Sequence, residues 1–456
     1  MTESGIETIA AIATAPGEGA VAIVKVSGPE SLAIADRIFR GKSPLPSLRP
    51  GGSFVHGLIE GQEGVADEVI LLIYRAPHSY TREDAIEIQG HGGAAAAKRI
   101  LRSVLASGAR MAEPGEFTKR AFLSGRIDLV QAEAVLDLIR ARTDRAAQSA
   151  LEQLRGSLSE AFNALYDKIL TACGDIESTL DFSEDEIPAT LINDVTEKLK
   201  DIGAEFKTLL QSWDEGHILR DGASVVIAGR PNVGKSTLLN ALLGKERAIV
   251  TPIAGTTRDT IEEQLAIDGY PVRIIDTAGL RESSCLIEQD GIRRTKTMLT
   301  QSDLTLYMID GSLPHNQKDD VILTTLQKHK TIVVVNKIDI QTNDTIKTLA
   351  SDWSVRYISA FRSEGLEGLK KCIMQHLGIR EEVPHQSTIS ERHRYLLVSA
   401  HKDIVESSKI LADSNADPAL AASRLRMALE TLGSVTGRIY HEELLNNIFS
   451  RFCIGK

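Results

Sequence analysis

The sequence predicts a multidomain protein of α/β and α architecture. Three observations support this prediction. In the central third of the chain, apolar strand-like runs each end in a short polar or glycine-rich motif. On both sides of that region, apolar residues recur at the spacing of helices. Near the N-terminus, runs of β-branched residues are mixed with a helical pattern, which is typical of an α+β domain.

The N-terminal domain is predicted to span residues 1–120. Its residues 20–26 and 68–74 are rich in β-branched side chains and are bounded by Gly or Pro, which indicates strands. Residues 94–106 have helical spacing instead. Both kinds of element occur within this one segment, so we expect an α+β fold.

A helical domain is predicted to be built from two chain segments, residues 121–219 and 379–456. The apolar residues of the second segment need partners, and the helices before residue 220 are the obvious ones. The segment between them, residues 220–378, would then be inserted within the helical domain. An apolar stripe in the first segment predicts packed antiparallel helices. It comprises Leu151, Leu154, Leu158, Phe162, Leu165 and Ile169.

The most specific motif begins the inserted segment. Residues 229–236 read G-R-P-N-V-G-K-S, fit the pattern G-x-x-x-x-G-K-[ST], and follow an apolar run at 224–228. In such a loop, backbone N–H groups surround phosphate oxygens, Lys235 neutralises phosphate charge and Ser236 ligates Mg²⁺. The helical run at 237–243 would place the phosphates at a helix N-terminus. The residues predicted to bind nucleotide here are Asn232, Val233, Gly234, Lys235, Ser236 and Thr237.

Two further motifs identify the nucleotide. In Asp276-Thr-Ala-Gly279, Asp276 can hold Mg²⁺ directly or through water, and the N–H of Gly279 can sense the γ-phosphate. In Asn336-Lys337-Ile-Asp339, the Asp339 carboxylate can accept hydrogen bonds from the N1–H and amine of guanine, donors that adenine does not offer in that geometry. The three motifs together predict a Ras-like P-loop domain that binds and hydrolyses GTP. The guanine pocket would be completed by Ser359, Ala360 and Phe361.

The catalytic apparatus departs from the Ras pattern. Leu280 holds the position where Ras-like enzymes carry a glutamine that orients the attacking water. Leucine cannot do this. The polar segment that follows contains three carboxylates that could accept a hydrogen bond from water, Glu282, Glu288 and Asp290, and their residue types do not favour one over the others. Asn232 and the Gly/Thr-rich run at 251–259 could form an oxygen cage for a monovalent cation such as K⁺, which would supply the charge that an arginine finger supplies elsewhere.

Composition excludes several classes of protein. The chain has 456 residues, a length sufficient for two or three domains with cores of their own, and 42% of its residues are hydrophobic and 25% charged. It has no apolar run long enough for a membrane span and no signal peptide, so we expect a cytoplasmic protein without a membrane partner. Its four cysteines lie far apart, which argues against a zinc site or disulfide framework. The net charge of −10 argues against nonspecific polyanion binding over the whole surface, and we interpret the local basic clusters as solvated helix faces.

Three other segments are specific to one family. They are Ile86-Glu-Ile-Gln-Gly-His-Gly-Gly93, Pro114-Gly-Glu-Phe-Thr-Lys-Arg-Ala-Phe-Leu123 and Phe452-Cys-Ile-Gly-Lys456. With the GTP motifs, they make the whole chain resemble the MnmE (TrmE) family of tRNA-modification GTPases. The resemblance implies an N-terminal domain that is similar to tetrahydrofolate-binding one-carbon-transfer domains, forms a constitutive homodimer and binds 5-formyltetrahydrofolate or a related folate. The family positions for that folate are Lys25, Glu87, Arg126 and Lys456, with Cys453 nearby as a candidate participant in the modification chemistry.

The resemblance also implies roles for the GTPase domain. The two domains of a dimer are expected to meet in the GTP state, with Glu288 orienting water and Mg²⁺ held by Ser236 and Thr257. With the flavoprotein MnmG, in an expected heterotetramer, such proteins add a carboxymethylaminomethyl or aminomethyl group to C5 of the wobble uridine of certain tRNAs. MnmG would supply the flavin and share or dominate the contact with tRNA. The K⁺ ligands implied are Asn232, Thr251, Ile253 and Thr256.

Two other functions fit a GTPase of this kind. A ribosome-assembly switch should have a basic RNA-binding C-terminal region with a strand-rich platform or a glycine loop, whereas this one is helical and ends in Cys-Ile-Gly-Lys. A membrane-remodelling GTPase should expose an apolar or basic amphipathic helix face, which liposome co-sedimentation would detect. A GTPase coupled to tRNA modification is therefore the function that the sequence favours.

Overall fold

The computed structural model describes residues 7–62, 64–180, 189–244, 262–276, 302–314, 316–340, 353–379, 389–413 and 417–456. The chain divides into two compact units. Unit 1 comprises Met1–Leu136 and Gly433–Lys456, and unit 2 comprises Asp137–Leu432. The C-terminal segment therefore belongs to the same unit as the N-terminal region.

Strands and helices occur in both units, and they are numbered in chain order. The strands are β1 (Ile9–Ile12), β2 (Val21–Ser27), β3 (Phe39–Gly41), β4 (Ser53–Gly61), β5 (Gly64–Tyr74), β6 (Ala85–His91), β7 (Arg110–Met111), β8 (Ala223–Gly229), β9 (Glu262–Ile267), β10 (Tyr270–Asp276), β11 (Leu304–Asp310), β12 (Thr331–Asn336) and β13 (Ser354–Tyr357). The α-helices are α1 (Ser31–Ile38), α2 (Ala94–Ala106), α3 (Glu116–Leu123), α4 (Leu129–Arg140), α5 (Asp144–Leu154), α6 (Ser157–Leu180), α7 (Ala189–Gln211), α8 (Trp213–Asp221), α9 (Lys235–Leu243), α10 (Gln317–Leu323), α11 (Leu366–His376), α12 (Glu391–Ala412), α13 (Pro418–Thr436) and α14 (Glu442–Phe449).

Unit 1 contains a seven-stranded sheet with the order β3-β4-β5-β6-β2-β1-β7. Neighbouring strands are antiparallel, except that β1 and β7 are parallel. Helices α1 and α2 pack on one face, where Val24, Val26, Ile86 and Ile88 are fully buried. Side chains alternate along a strand, so the intervening residues of β2 and β6 point to the opposite face. The strands predicted near 20–26 and 68–74 and the helix predicted at 94–106 are confirmed as β2, β5 and α2.

The C-terminal helix of the chain completes a second core in unit 1. Phe122 of α3 and Leu129 of α4 pack with Leu445 and Phe449 of α14 and with Phe452. All five side chains are at most 8% exposed. The end of the chain is therefore held in unit 1 by apolar contacts with residues that follow its sheet.

Unit 2 contains a six-stranded sheet with the order β13-β12-β11-β8-β10-β9, in which only β9 is antiparallel to its neighbour. One face packs against α9 and α11, and the other against α10. Strand β8 is buried along its length up to Gly229, as expected for a parallel strand covered on both faces. Its neighbours β10 and β11 lie on opposite sides of it, so the carboxyl end of β8 is a topological switch point.

The helical part of unit 2 packs α7 against α6 and α12. Of the predicted apolar stripe, Leu158, Phe162, Leu165 and Ile169 are buried, as predicted. The stripe is not continuous, however, because a turn separates α5 from α6 and leaves Leu151 38% exposed. None of the described helices combines the length and apolarity needed to cross a membrane.

Candidate functional site

The carboxyl ends of four strands gather the predicted nucleotide-binding segments in unit 2. β8 ends at Gly229, β10 at Asp276, β11 at Asp310 and β12 at Asn336. These strands are parallel, so their ends meet at one edge of the sheet, where α/β proteins bind ligands. Asp276 lies opposite Ile227 of β8, two residues before the predicted phosphate-binding loop at 229–236, which is called the phosphate loop below.

The loop between β8 and α9 curves around the ammonium group of Lys235. This side chain is 8% exposed, and its Nζ donates hydrogen bonds to the carbonyl oxygens of Gly229 at 3.0 Å and Arg230 at 2.8 Å. Gly234 precedes the helix with φ +99°, and a Cβ there would lie 2.3 Å from Nδ2 of Asn336, so only glycine fits. A buried ammonium beside the N–H groups of a helix start is suited to binding phosphate.

The remaining loop residues divide between the core and the surface. Val233 packs into the core, whereas Asn232, Ser236 and Thr237 are exposed. Hydroxyl and amide oxygens of this kind are the ligands that hard cations prefer. No group of three His, Cys, Asp or Glu side chains in the described part of the chain could hold a metal ion by itself. The exposed oxygens of Asn232, Ser236 and Thr237 are therefore of a type that could contribute to a hard-cation site.

Asn336 joins the phosphate loop to the loop after β13. Its Nδ2 donates to the carbonyl oxygen of Val233 at 2.9 Å, and its Oδ1 accepts from the backbone N–H of Ala360 at 2.9 Å. The residue is 3% exposed. Both ends of one buried amide are thus used to fix two loops that the sequence predicts to contact the nucleotide.

Lys337 makes a second connection to the phosphate loop. Its Nζ donates to the carbonyl oxygen of Asn232 at 2.8 Å and to Oδ2 of Asp310 at 2.6 Å. Partial burial disfavours the ionised form of Asp310, but hydrogen bonds from Lys337 and Ser312 outweigh it and hold the pKa of Asp310 below its ordinary value. The ends of β11 and β12 are thereby tied to the loop after β8.

Asp339 is oriented by Ser359, which donates its hydroxyl to Oδ1 of the carboxylate at 2.6 Å. This hydrogen bond is the main reason that the pKa of Asp339 lies below its ordinary value. Ser359 is fully buried and Ala360 is 3% exposed, whereas Phe361 is 84% exposed. Asp339 is therefore an ionised, positioned acceptor at neutral pH, which suits paired N–H donors on a purine edge.

Several predicted site residues lie outside the described residues. Only the backbone of Asp276 is described, at the end of β10. The three candidates for orienting water, Glu282, Glu288 and Asp290, lie outside the described residues, and all the potassium ligands, Asn232 included, stay predictions. The predicted residues outside the described ranges are Thr251, Ile253, Thr256, Thr257, Gly279 and Glu288.

Unit 1 brings Lys25, Glu87 and Arg126 together around Tyr80. Lys25 and Glu87 are opposite each other on β2 and β6, with Nζ 3.9 Å from Oε1. Nζ of Lys25 lies 5.7 Å from the centroid of the Tyr80 ring, and Cζ of Arg126 lies 4.6 Å from it. Both distances are within the range of cation–π attraction. Arg126 also donates to the carbonyl oxygen of Tyr80 at 3.1 Å.

The C-terminal segment adds Lys456 to this cluster. Burial lowers the pKa of Lys25, Glu87 raises it, and the positive charge of Lys456 lowers it, so that the pKa lies below its ordinary value. Lys456 reaches this cluster because residue 455 is a glycine. Gly455 has φ +95°, and a Cβ there would lie 2.5 Å from the carbonyl oxygen of Ile12. Cys453 is exposed in the same turn, and its carbonyl oxygen accepts from the N–H of Lys456 at 3.3 Å.

Sequence reasoning misses Tyr80, because its place in the cluster depends on tertiary contacts. Its phenol oxygen lies 3.0 Å from the hydroxyl oxygen of Thr118, a buried residue of α3. Burial raises the pKa of Tyr80 above its ordinary value, although Thr118 and Arg126 act in the opposite direction. The one available signal is that Thr118 belongs to the family-specific segment 114–123.

A charge network in the same segment fixes the loop that contains Tyr80. Glu116 is 8% exposed and accepts two hydrogen bonds from Arg110, at 2.7 and 2.8 Å, and one from Arg120 at 2.9 Å. Burial acts against ionisation, but these bonds outweigh it and lower the pKa of Glu116 to about 2. Arg120 also donates to both carboxylate oxygens of Glu83, at 3.1 and 3.2 Å. Helix α3 therefore positions the Tyr80 loop through ion pairs.

Comparison with known proteins finds one family along nearly the whole chain. Residues 8–126 match the model of the GTP-binding protein TrmE N-terminus, and residues 129–453 match that of the MnmE helical domain. A curated relative named tRNA modification GTPase MnmE from Geobacter metallireducens is 42% identical over 463 residues, covering 99% of each chain. The protein of the same name from Desulforamulus reducens is 41% identical over 461 residues, again covering 99% of each.

Solved structures resemble parts of the chain. The G domain of the T. maritima FeoB iron transporter is 25% identical and covers 34% of this chain and 98% of its own, with a TM-score of 0.25. The cytosolic domain of the same transporter in a GDP form is 21% identical and covers 47% of this chain and 97% of its own, with a TM-score of 0.27.

Proposed function

The chain belongs to the MnmE family of tRNA-modification GTPases, and from that membership we propose that it hydrolyses GTP and that hydrolysis is coupled to modification of a tRNA. The observation that supports this most directly is the position of Lys235, Asn336 and Asp339 at one edge of a parallel sheet. A buried ammonium for phosphate and an oriented carboxylate for a purine are connected there by one buried amide.

Each group at this edge has a task in GTP hydrolysis. Lys235 and the N–H groups at the start of α9 would bind the phosphates, and Asp339 would accept the N1–H and amine of guanine. Ser236 and Thr257 would hold Mg²⁺, with Asp276 acting directly or through water. When bound, Mg²⁺ neutralises charge on the phosphate oxygens. Glu288 would orient the attacking water, a role that Leu280 cannot perform.

We also propose that a potassium ion stabilises the charge that develops in the transition state. Asn232, Thr251, Ile253 and Thr256 would hold it. The carbonyl oxygen of Asn232 is bonded to Lys337, while its exposed side chain provides an amide oxygen for a cation. Replacing K⁺ by Na⁺ at equal ionic strength is expected to slow hydrolysis, measured as phosphate release, and equal rates in the two salts would remove this part of the proposal.

Unit 1 is proposed to bind 5-formyltetrahydrofolate or a related folate through Lys25, Glu87, Arg126 and Lys456. A folate has N–H donors on its pterin ring and carboxylates on its glutamate tail. One carboxylate beside three cations and an aromatic ring offers partners for both ends. The folate supplies a one-carbon group when bound, and exposed Cys453 lies in the segment that contributes Lys456 to the cluster.

The proposed assembly is a homodimer that binds the flavoprotein MnmG, in an expected heterotetramer, and tRNA. Phe54, Leu58 and Ile70 are 72%, 38% and 41% exposed on the sheet face opposite α1 and α2. Exposed apolar side chains on one sheet face are typical of an interaction surface, and a second copy of unit 1 is the proposed occupant. MnmG would supply the flavin and reductant for forming the carboxymethylaminomethyl or aminomethyl group.

The proposed domain organisation follows the family. It assigns residues 1–120 to a folate-binding-like domain, 121–219 and 379–456 to one helical domain, and 220–378 to an inserted GTPase domain. Within unit 2, α7 precedes the sheet in sequence, α12 follows it, and the two helices pack against each other. This contact supports the insertion.

Mass spectrometry of wobble nucleosides tests the proposed function. A strain that lacks this protein is expected to lose the C5 carboxymethylaminomethyl or aminomethyl group from its tRNA. Expression of the natural chain should restore the group, whereas Lys235→Ala, which loses the phosphate ligand, should not. Unchanged nucleosides in the strain that lacks the protein would refute the coupling to tRNA.

A further inference from the structure

A surface formed by α8 and α12 in unit 2 combines aromatic rings with cations. The Trp213 ring stacks on the His217 ring, with centroids 5.1 Å apart and planes 19° apart. Cζ of Arg394 lies 5.5 Å from the centroid of Trp213. Nδ1 of His217 donates to the carbonyl oxygen of Trp213 at 3.0 Å, which fixes the imidazole in the stack. Three side chains from two helices are thereby held together.

The exposed face of α12 continues this arrangement. Tyr395 is 76% exposed and Val398 is 49% exposed, although both are large and partly apolar. Arg394 and Lys402 are exposed, and eight residues of helix separate them by about 12 Å. Tyr395 lies seven residues, or about two turns, before Lys402 and so shares its side of α12, whereas Arg394 lies about 100° around the helix, towards Trp213. The exposed ring of Tyr395 therefore has a cation on either side of it along the chain.

The exposed charges of α12 are mostly positive, unlike the net charge of the chain as a whole. The chain has a net charge of −10. The charged residues at exposed positions of α12 are Glu391, Arg394, Lys402 and Lys409, three cations and one anion. Among the described residues, the guanidinium of Arg394 forms no hydrogen bond or ion pair, so its charge is held in place by the Trp213 ring and is available to a ligand.

We propose that the α8–α12 surface, defined by Trp213, His217, Arg394, Tyr395 and Lys402, binds tRNA. Tyr395 stacks on an unpaired base, and Arg394 and Lys402 bind backbone phosphates. An exposed ring with cations nearby suits single-stranded nucleic acid, because bases stack on aromatic rings and phosphates pair with cations. This inference rests on the proposed function, which requires a tRNA substrate.

Two substitutions separate the stacking from the charge contribution. Tyr395→Ala is expected to weaken tRNA binding roughly 5- to 100-fold without changing its salt dependence. Arg394→Ala is expected to weaken binding and to reduce the slope of log affinity against log salt by about 1, because one phosphate contact is lost. Binding of labelled tRNA to the full chain is measured by fluorescence anisotropy over a range of salt concentrations, starting at low salt.

The chain offers a matched control for Arg394. Nζ of Lys328 lies 5.6 Å from the ring centroid of Trp353, so Lys328→Ala removes the same charge and the same type of contact elsewhere in unit 2. This variant should bind tRNA like the natural chain. GTP hydrolysis should be unchanged in all three variants, because none of these residues belongs to the nucleotide site.

The two tryptophans of the chain provide a direct readout. In Trp353→Phe, where Trp213 is the one remaining tryptophan, added tRNA should change the fluorescence. In Trp213→Phe, where Trp353 remains, it should not. A response confined to Trp353 would locate the RNA elsewhere and overturn the proposal.

Three other results would also overturn it. The natural chain could fail to bind tRNA at low salt, or Tyr395→Ala and Arg394→Ala could both bind tRNA as tightly as the natural chain. These two variants could also bind tRNA normally but no longer bind a flavoprotein partner, which would make the surface a protein interface. The proposed function is tested separately, by the wobble nucleosides of the strain that lacks the protein.

Discussion

The candidate nucleotide site of unit 2 and the cationic cluster of unit 1 are built in different ways. In unit 2, the ends of consecutive parallel strands deliver the site, and bonds from Lys235, Asn336 and Lys337 to backbone carbonyl oxygens fix it. In unit 1, segments far apart in the chain meet, and ion pairs and ring contacts fix them. The first site depends on a few atoms in short loops, whereas the second depends on the charges of its scaffold.

The largest effect is expected for Asp339 of unit 2, which is proposed to recognise the base of the nucleotide. In Asp339→Asn, the amide presents a donor where guanine also presents a donor, so the preference for GTP over xanthosine triphosphate should fall by roughly 10³-fold or more. Equilibrium binding of both nucleotides measures the change.

Asp310→Asn is the control for this substitution, because Asp310 is bonded to Lys337 in the same site. Asp310→Asn should weaken the binding of GTP and of xanthosine triphosphate to the same extent and leave the preference for GTP unchanged. If the preference also survives Asp339→Asn, the carboxylate does not recognise the base, and base selection in unit 2 does not depend on this one side chain.

A smaller effect, on stability, is expected for the charge network of unit 1. Glu116→Gln leaves Arg110 and Arg120 without their shared carboxylate and should destabilise unit 1 by about 3 kcal/mol at pH 7. Both tryptophans, Trp213 and Trp353, lie in unit 2, so a transition in far-UV circular dichroism without a change in tryptophan fluorescence reports on unit 1. Glu113→Gln, at an exposed acid of the same loop, should have little effect.

The same carboxylate predicts an acid dependence of stability. The folded pKa of Glu116 is lowered from 4.5 to about 2, so its contribution is fully present above pH 4.5 and is lost as the pH falls towards 2. The natural chain should therefore lose stability in unit 1 over this range, and Glu116→Gln should lose less. An equal loss in both would show that other groups cause the acid dependence.

The smallest effect is expected for the ring at the centre of the unit 1 cluster. Tyr80→Leu removes the cation–π contacts of Lys25 and Arg126 and should weaken binding of 5-formyltetrahydrofolate roughly 10-fold. Tyr80→Phe keeps the ring and should bind nearly as well as the natural chain. Isothermal titration measures both, with GTP hydrolysis unchanged. If both variants lose affinity equally, the phenol and its bond to Thr118 matter rather than the ring.

The two sites also differ in how far the sequence predicts them. The strand-loop-helix unit around Lys235 is predictable because its apolar period, glycine positions and motif all lie within about twenty residues. The pairing of Asp339 with Ser359 follows from two motifs that end neighbouring parallel strands. The sequence predicts Asn336 as a nucleotide contact, and the structure adds the role of its buried amide as a tie between two loops.

The unit 1 cluster is not predictable from local patterns. Lys25 and Lys456 lie at opposite ends of the chain, and no spacing relates them, so only a family resemblance identifies them. Tyr80 escapes sequence reasoning because its neighbours come from β2, α3 and the segment after α3. The turn between α5 and α6 is not predicted from the sequence, because the helical spacing of apolar residues continues across the turn although Leu151 points towards solvent.

Because Gly433–Lys456 belong to unit 1, this unit can be completed only when the whole chain has been synthesised. Unit 2 is one uninterrupted stretch and can fold as soon as it has emerged, whereas Phe122 and Leu129 must wait for α14 to cover them. The sheet core of unit 1 can form early, but its second core can be completed only after unit 2 has been synthesised. A chain truncated shortly before α14 would keep a folded GTPase and present an uncovered apolar surface to chaperones.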